Sequence, residues 1–185
     1  MPIGRIKNTW RDDRERSIEE VASALAYILW KVALESARDL HGEGYEYQSD
    51  PQRVAVMAEF VAFLVQVTDR LAYDRLEDED RAALINALGR RLADQVQDNL
   101  TDLFGPGDYR APFIATLNER IGDYAELSFA DGKPGYDFLR YFGSRVLRIM
   151  GETQTNRWVI DQIMDRSGPE AARHLARSLD NLLGR

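Results

Sequence analysis

The chain has 185 residues, 44% of them apolar, and a formal charge of −7 from 31 acidic and 24 basic side chains. This length suits one domain with a core of its own, and the negative field opposes non-specific binding to nucleic acid or to an anionic membrane. The absence of cysteine excludes disulfides, thiolate zinc sites, iron–sulfur clusters and cysteine nucleophiles, and it is typical of a cytoplasmic protein.

The first sixteen residues mix basic and acidic side chains and lack the apolar region of a secretory signal. We predict a solvated N-terminal arm over residues 1–16 and a single all-helical domain over residues 17–185. Nowhere does the chain reach the roughly 18 uncharged apolar residues of a transmembrane helix. We therefore expect no membrane partner, and the overall charge predicts no nucleic-acid partner either.

The first helix is predicted over residues 17–40, because Ser17 and Glu20 have the spacing of a capping box. Its main apolar stripe should pack on the next helix and contains Ile18, Val21, Leu25, Ile28, Leu29 and Val32. A second apolar line, Tyr27, Trp30 and Leu34, lies on the opposite side. A helix with two such lines is either sandwiched within its own domain or part of an interface.

The central element is a helix predicted over residues 50–76, which begins at Asp50 and Pro51. Its apolar side chains spread over an arc of about 200°, so other helices must surround it. The remaining arc carries a narrow polar line that includes Glu59, Gln66 and Asp69. That line is either a window to solvent or a polar site facing other helices.

Further helices are predicted over residues 78–104, 111–129, 137–150, 155–166 and 169–184 from their apolar spacing and from the glycines and prolines between them. The fourth should bury Phe113, Leu117, Ile121 and Tyr124. No alternating run of β-branched residues predicts a strand. The sequence therefore predicts an all-α, single-domain irregular bundle of about six or seven helices around a central buried helix, about 70% helical.

Metal and nucleophilic chemistry have little support in the sequence. The chain has two histidines, His41 and His174, and neither follows a glutamate at the Glu-x-x-His spacing of di-metal bundles. Ser178 shares one helical edge with His174, but side chains on one helix seldom converge as a catalytic triad requires. We predict no catalytic residues, no metal site and no cofactor.

Arg145 lies at the edge of the apolar arc of its helix. An arginine there must lift its guanidinium to water or meet a carboxylate, since an unpaired buried charge costs several kcal/mol. Glu59, Asp69, Asp123 and Glu126 are the candidate partners. The position favours a structural ion pair over a ligand-binding arginine.

Two functional hypotheses follow from these features. The first is a non-catalytic cytoplasmic interaction or structural protein that forms a homodimer through Tyr27, Trp30 and Leu34. Under this hypothesis the chain could also bind a different protein, whose identity the sequence does not indicate. The second is a helical small-molecule-binding protein or enzyme with a ligand site of Glu59, Gln66 and Arg145. A cavity lined by those three would favour the second hypothesis, and their pairing with one another would favour the first.

Overall fold

The computed structural model describes residues 6–7 and 15–184 and forms an all-α bundle in which 77% of the chain is helical, as the sequence predicts. The helices are α1 (Ile18–Gly42), α2 (Asp50–Ala72), α3 (Asp78–Phe104), α4 (Arg110–Tyr124), α5 (Tyr136–Met150), α6 (Val159–Gln162), a π-helical segment (Ile163–Ser167) and α7 (Gly168–Leu183). None of these helices has the length and apolar character needed to cross a bilayer.

Two antiparallel pairs of very short strands accompany the helices. Strand β1 (Ile6–Lys7) pairs with β2 (Glu15–Arg16), and β3 (Phe129–Ala130) pairs with β4 (Lys133–Pro134). Strand β1 lies against α7. The arm predicted for residues 1–16 otherwise falls outside the described residues.

The start of α1 is fixed by the predicted capping box. The Ser17 Oγ accepts a hydrogen bond from the Glu20 amide at 3.2 Å, and the Ser17 amide donates to the Glu20 carboxylate at 2.9 Å. These reciprocal bonds satisfy two amides that the first helical turn leaves free. From this end α1 runs along α3, α2 and α7 and buries its main apolar stripe against them.

Helix α2 is the centre of the bundle. Every residue from Glu59 to Thr68 is buried, including the whole apolar run from Phe60 to Val65. Such a helix needs neighbours on all sides, and α2 packs on α1, α3, α4, α5 and α7. The prediction of a central buried helix is confirmed.

Aromatic rings join α2 to α5. The ring of Phe63 stacks on that of Phe142 with centroids 4.2 Å apart and planes 8° apart, and Phe60 meets Phe142 edge-on at 4.8 Å. Such pairs contribute about 0.5–1.5 kcal/mol each beyond the area that they bury. They fix the rotation of α5 and bring Arg145, about one turn beyond Phe142, towards α2.

Helix α4 is shorter than its predicted range of 111–129. The Arg70 guanidinium donates hydrogen bonds to the carbonyls of Tyr124, Ala125 and Leu127 at 2.8, 2.9 and 3.1 Å. A side-chain cation that binds these last carbonyls replaces the bonds of a further helical turn. The chain therefore leaves the helix after Tyr124.

The segment that follows α4 is a hairpin, where the sequence predicts the helix end and a loop. Strands β3 and β4 are joined by Asp131 and Gly132, whose φ angles are 54° and 72°. Both are left-handed conformations, which the Asp-Gly sequence favours in two-residue hairpin turns. A turn signal without flanking strand-forming residues was not sufficient to predict the strands.

The last helices also differ from their predicted boundaries. The helix predicted from residue 155 begins at Val159. The buried Asn156 keeps the residues before it in turns, because its side-chain amide binds Glu46. It donates to the Glu46 carbonyl and accepts from the Glu46 amide, both at 2.9 Å. The π-helical turn then leads directly into α7. Pro169 has no N–H for an α-helical bond, and the wider turn before it lets the helix continue.

Candidate functional site

The predicted polar line on α2 leads to a buried ion cluster centred on Glu59. The Arg120 Nε lies 3.1 and 2.9 Å from the two carboxylate oxygens of Glu59, and its Nη2 lies 2.6 Å from Oε1. Each of the two residues is only 3% exposed. This paired geometry is the strongest that a guanidinium and a carboxylate can form.

Arg120 also binds carboxylates at the surface edge of the cluster. Its Nη1 lies 2.8 Å from Glu119 and 3.5 Å from Asp123. The hydrogen bonds with Glu59 raise the pKa of Arg120 against the opposing effect of burial. Arg120 is therefore a permanent cation whose donors are committed to protein carboxylates.

Arg145 is the second cation beside Glu59. Its Nε lies 3.7 Å from the Glu59 Oε1, so the predicted ion pair is present. The distance is too long for a hydrogen bond, and this buried Nε has no hydrogen-bond acceptor among the described residues. The stronger partner of Glu59 is thus Arg120, and Arg145 contributes mainly the attraction of its charge.

Gln66 does not join this cluster. It is buried about two helical turns beyond Glu59, and its side chain exchanges no hydrogen bond with any residue that the structure describes. Glu59, Gln66 and Arg145 line none of the five clefts described here. The structure brings Glu59 and Arg145 together, and neither of them lines any of these five clefts.

Two tyrosines border the cluster, and only one of their hydroxyls has a hydrogen-bond partner among the described residues. The Tyr141 hydroxyl donates to Asp123, and burial is the main cause that raises its pKa to about 12. The hydroxyl of Tyr124 is buried and has no partner in the described part of the chain, and burial raises its pKa well above the usual value of 10.0. Both remain neutral at physiological pH, so the cluster is suited to holding α2, α4 and α5 together.

Arg120 was not among the predicted site residues, because the apolar pattern of α4 places Ile121 on its inner face. The predicted stripe ran through Ile121, but Ile121 is 41% exposed and Arg120 is buried. The spacing of Phe113, Leu117, Arg120 and Tyr124 is four, three and four residues, which is the pattern of one helical face. That spacing could have placed Arg120 on the inner face of α4, but a charged residue is not expected at a buried position.

A second feature is an apolar cleft of about 390 Å³ between α1, α2, α3 and α4. Its lining is mainly apolar and consists of Trp30, Pro51, Val54, Ala55, Ala58, Val96, Leu100, Phe104, Tyr109, Pro112, Phe113 and Thr116. Apolar clefts of this kind on a protein surface mark sites where ligands or proteins bind.

The turn between α3 and α4 forms the end of this cleft. The Gln97 Oε1 accepts from the amides of Tyr109 and Arg110 at 2.8 and 3.0 Å, and its Nε2 donates to the Gly107 carbonyl at 2.8 Å. The Tyr109 hydroxyl donates to the Gly105 carbonyl at 2.8 Å. Since these polar groups are satisfied within the turn, the ring of Tyr109 is free to line an apolar surface.

A neighbouring cleft of about 320 Å³ shares Trp30, Val54 and Leu100 with the first. Its other lining residues are Leu34, Arg53, Met57, Asn99, Asp102 and Leu103. The two clefts are adjacent between α2 and α3, and Trp30 of α1 lines both of them. We refer to the two clefts together as the Trp30 groove.

Two of the three residues predicted for an interface line the Trp30 groove, and Tyr27 lies one helical turn before Trp30 without lining either cleft. Trp30 and Leu34 are half-buried and line it, whereas Tyr27 is 64% exposed. The sequence left open that the last helix covers this line. Helix α7 does pack on α1, but it lines neither cleft.

A larger cleft of about 640 Å³ lies at the end of α2 and is less suited to a ligand. Its three arginines already have partners: Arg70 binds the α4 carbonyls, Arg75 lies 2.7 Å from Asp180, and Arg81 lies 3.7 Å from Asp69. In the described residues no group of three histidine, cysteine, aspartate or glutamate side chains has the arrangement of a metal site. His41 and His174 are both exposed.

Comparisons with protein-family models, with curated proteins and with solved structures found no match to this chain.

Proposed function

We propose that this protein is a non-catalytic interaction protein that forms a homodimer through the Trp30 groove. The proposal keeps the cytoplasmic setting that the cysteine-free sequence predicts. Its interface includes Tyr27, Trp30 and Leu34 together with the exposed end of α3.

The observation that carries the proposal is the apolar lining of the groove beside protruding apolar side chains. Tyr27, Leu103 and Phe104 are 64%, 45% and 40% exposed. A two-fold contact uses the same patch on both copies, so the protruding side chains of one copy can fill the groove of the other. Tyrosine, tryptophan and phenylalanine are also enriched in interface cores.

The buried ion cluster supports the non-catalytic part of the proposal. Glu59 is enclosed by Arg120 and Arg145, which is the pairing that favours an interaction protein over a ligand site on α2. The cluster fixes the rotation of α2. With α2 held in this rotation, Val54, Ala55 and Ala58 line the groove.

The test is the mass of the protein in solution, measured by light scattering over a range of concentrations. The wild type is expected to have the mass of two chains, and Trp30→Glu the mass of one, because a carboxylate in an apolar contact leaves an unpaired buried charge. The matched control is Trp158→Glu: Trp158 is 57% exposed and does not line the groove. This control should remain dimeric.

Trp30 packs partly on the core, so circular dichroism must show that Trp30→Glu is folded. If it is not, Leu103→Glu replaces it, since Leu103 is exposed at the rim of the groove. A monomeric wild type would refute the proposal. A folded groove variant that stays as dimeric as the control would refute it as well.

A further inference from the structure

The smaller of the two clefts in the Trp30 groove, of about 320 Å³, is lined by one positive and one negative side chain. Arg53 on α2 and Asp102 on α3 both line that cleft, beside Trp30, Leu34 and Met57. The cleft is therefore neutral in total, although the chain has a formal charge of −7. Two copies of so acidic a chain repel one another over most of their surfaces, and a balanced patch is where that repulsion is smallest.

Neither charge has a strong partner within its own chain. Arg53 lies 3.2 Å from Asp50, one turn earlier on α2, and the side chain of Asp50 is 61% exposed. Asp102 makes no ion pair or hydrogen bond with the residues that the structure describes. Exposed ion pairs one helical turn apart contribute little to stability, so Arg53 can exchange its partner at little cost.

We propose that Arg53 of each copy pairs with Asp102 of the partner subunit and that these two symmetric ion pairs set the register of the dimer. This inference rests on the proposed function, since it names the polar contacts of the same interface. In a two-fold contact the pairing is reciprocal, so one arginine and one aspartate per chain supply two ion pairs.

The charge balance suits a second copy and disfavours a uniformly charged occupant of the groove. A uniformly basic or uniformly acidic helix would be attracted by one of the two charges at the smaller cleft and repelled by the other. A second copy presents the complementary charge at both positions. Charges at the rim of an interface mainly exclude wrong registers and wrong partners, and this is the role that the pair has here.

The test uses the two charge reversals Arg53→Asp and Asp102→Arg, and measures the dimer dissociation constant by sedimentation. Each reversal alone places like charges opposite each other at two symmetric positions. At about 0.7 kcal/mol per position, each variant should dissociate about tenfold more readily than the wild type. The difference should shrink in high salt, because exposed charges are screened.

Mixing the two variants is the decisive step. A heterodimer of Arg53→Asp with Asp102→Arg carries opposite charges at both positions, so the mixture should recover wild-type affinity while each variant alone does not. The variant with both reversals should also recover. Arg148→Asp and Asp165→Arg are the matched controls, since they change the net charge equally at exposed positions outside the groove; they measure the effect of net charge alone, which should be much smaller than tenfold and should not depend on mixing.

The outcomes separate this inference from the proposed function. A monomeric wild type would refute both. A dimeric wild type whose reversals dissociate as the controls do would leave the dimer in place and refute the ion pairs. Weakened single variants that do not recover on mixing would refute the pairing between chains, because the charges would then act within each chain.

Discussion

The two faces of α2 differ in a way that residue hydrophobicity alone does not predict. Glu59 is buried against α4 and α5, whereas the adjacent Ala58 borders an open apolar groove. The polar residue is inside because two arginines meet it there, and the apolar residue is only partly buried because it lies at the edge of the groove. Buried polar groups and open apolar patches are the informative exceptions in a fold, and this helix has both.

The largest expected effect on stability is at the buried face of α2, where Glu59 lies. Glu59→Leu should lower the free energy of unfolding by about 3–5 kcal/mol, since it leaves the Arg120 guanidinium buried without its main partner. Urea denaturation measures the loss. Glu119→Leu is the matched control, because the exposed Glu119 contacts the same arginine, and it should cost no more than about 1 kcal/mol. Equal losses in the two variants would contradict a buried pair.

The next effect distinguishes the two arginines around Glu59. In double-mutant cycles with leucine, the coupling of Glu59 with Arg120 should approach the upper part of the usual range of about 0.5–3 kcal/mol. The coupling with Arg145 should lie near the lower end, because its Nε is 3.7 Å away without a hydrogen bond. A larger coupling with Arg145 would reverse the assignment of partners.

A smaller effect separates the two tyrosines at the edge of the cluster. Tyr141→Phe removes the hydrogen bond to Asp123 and should cost about 1 kcal/mol. Tyr124→Phe removes a buried hydroxyl that has no partner among the described residues, so it should leave stability unchanged or raise it. Urea denaturation of both variants checks the signs, and a substantial loss in Tyr124→Phe would show that its hydroxyl has a partner.

The smallest effect is a change of stability with alkaline pH. Burial raises the pKa of Tyr141 from its ordinary value of 10.0 to about 12. Within that interval the unfolded chain has released the phenolic proton and the folded chain still binds it, so stability falls as pH rises. The decline from pH 10 to 12 should be shallower in Tyr141→Phe than in the wild type. Parallel declines would exclude a contribution from this tyrosine.

Much of the fold was predictable because it depends on local signals. The boundaries of α3 match the predicted range of 78–104, and the capping box at Ser17 starts α1 as expected. Apolar spacing and caps act within a few residues of the chain. The same information identified α2 as the central helix.

The errors come from contacts between distant parts of the chain. Helix α4 ends where Arg70 of α2 binds its carbonyls, and the start of α6 depends on Asn156 meeting Glu46. Arg120 occupies an inner position that is stable only because Glu59 faces it. A single sequence shows each of these residues but not its partner. The position of Trp30 in a groove depends likewise on the packing of four helices.

The most direct test of the central claim is hydroxyl-radical footprinting of the wild type at low and high protein concentration. Oxidation of Trp30, Leu103 and Phe104 should fall as the dimer forms, because in the proposed dimer the second copy covers the groove that these side chains line. Trp158 and Tyr73 are exposed outside the groove and should keep the same oxidation rate. Unchanged oxidation of the groove residues in a sample that has become dimeric would contradict the claim.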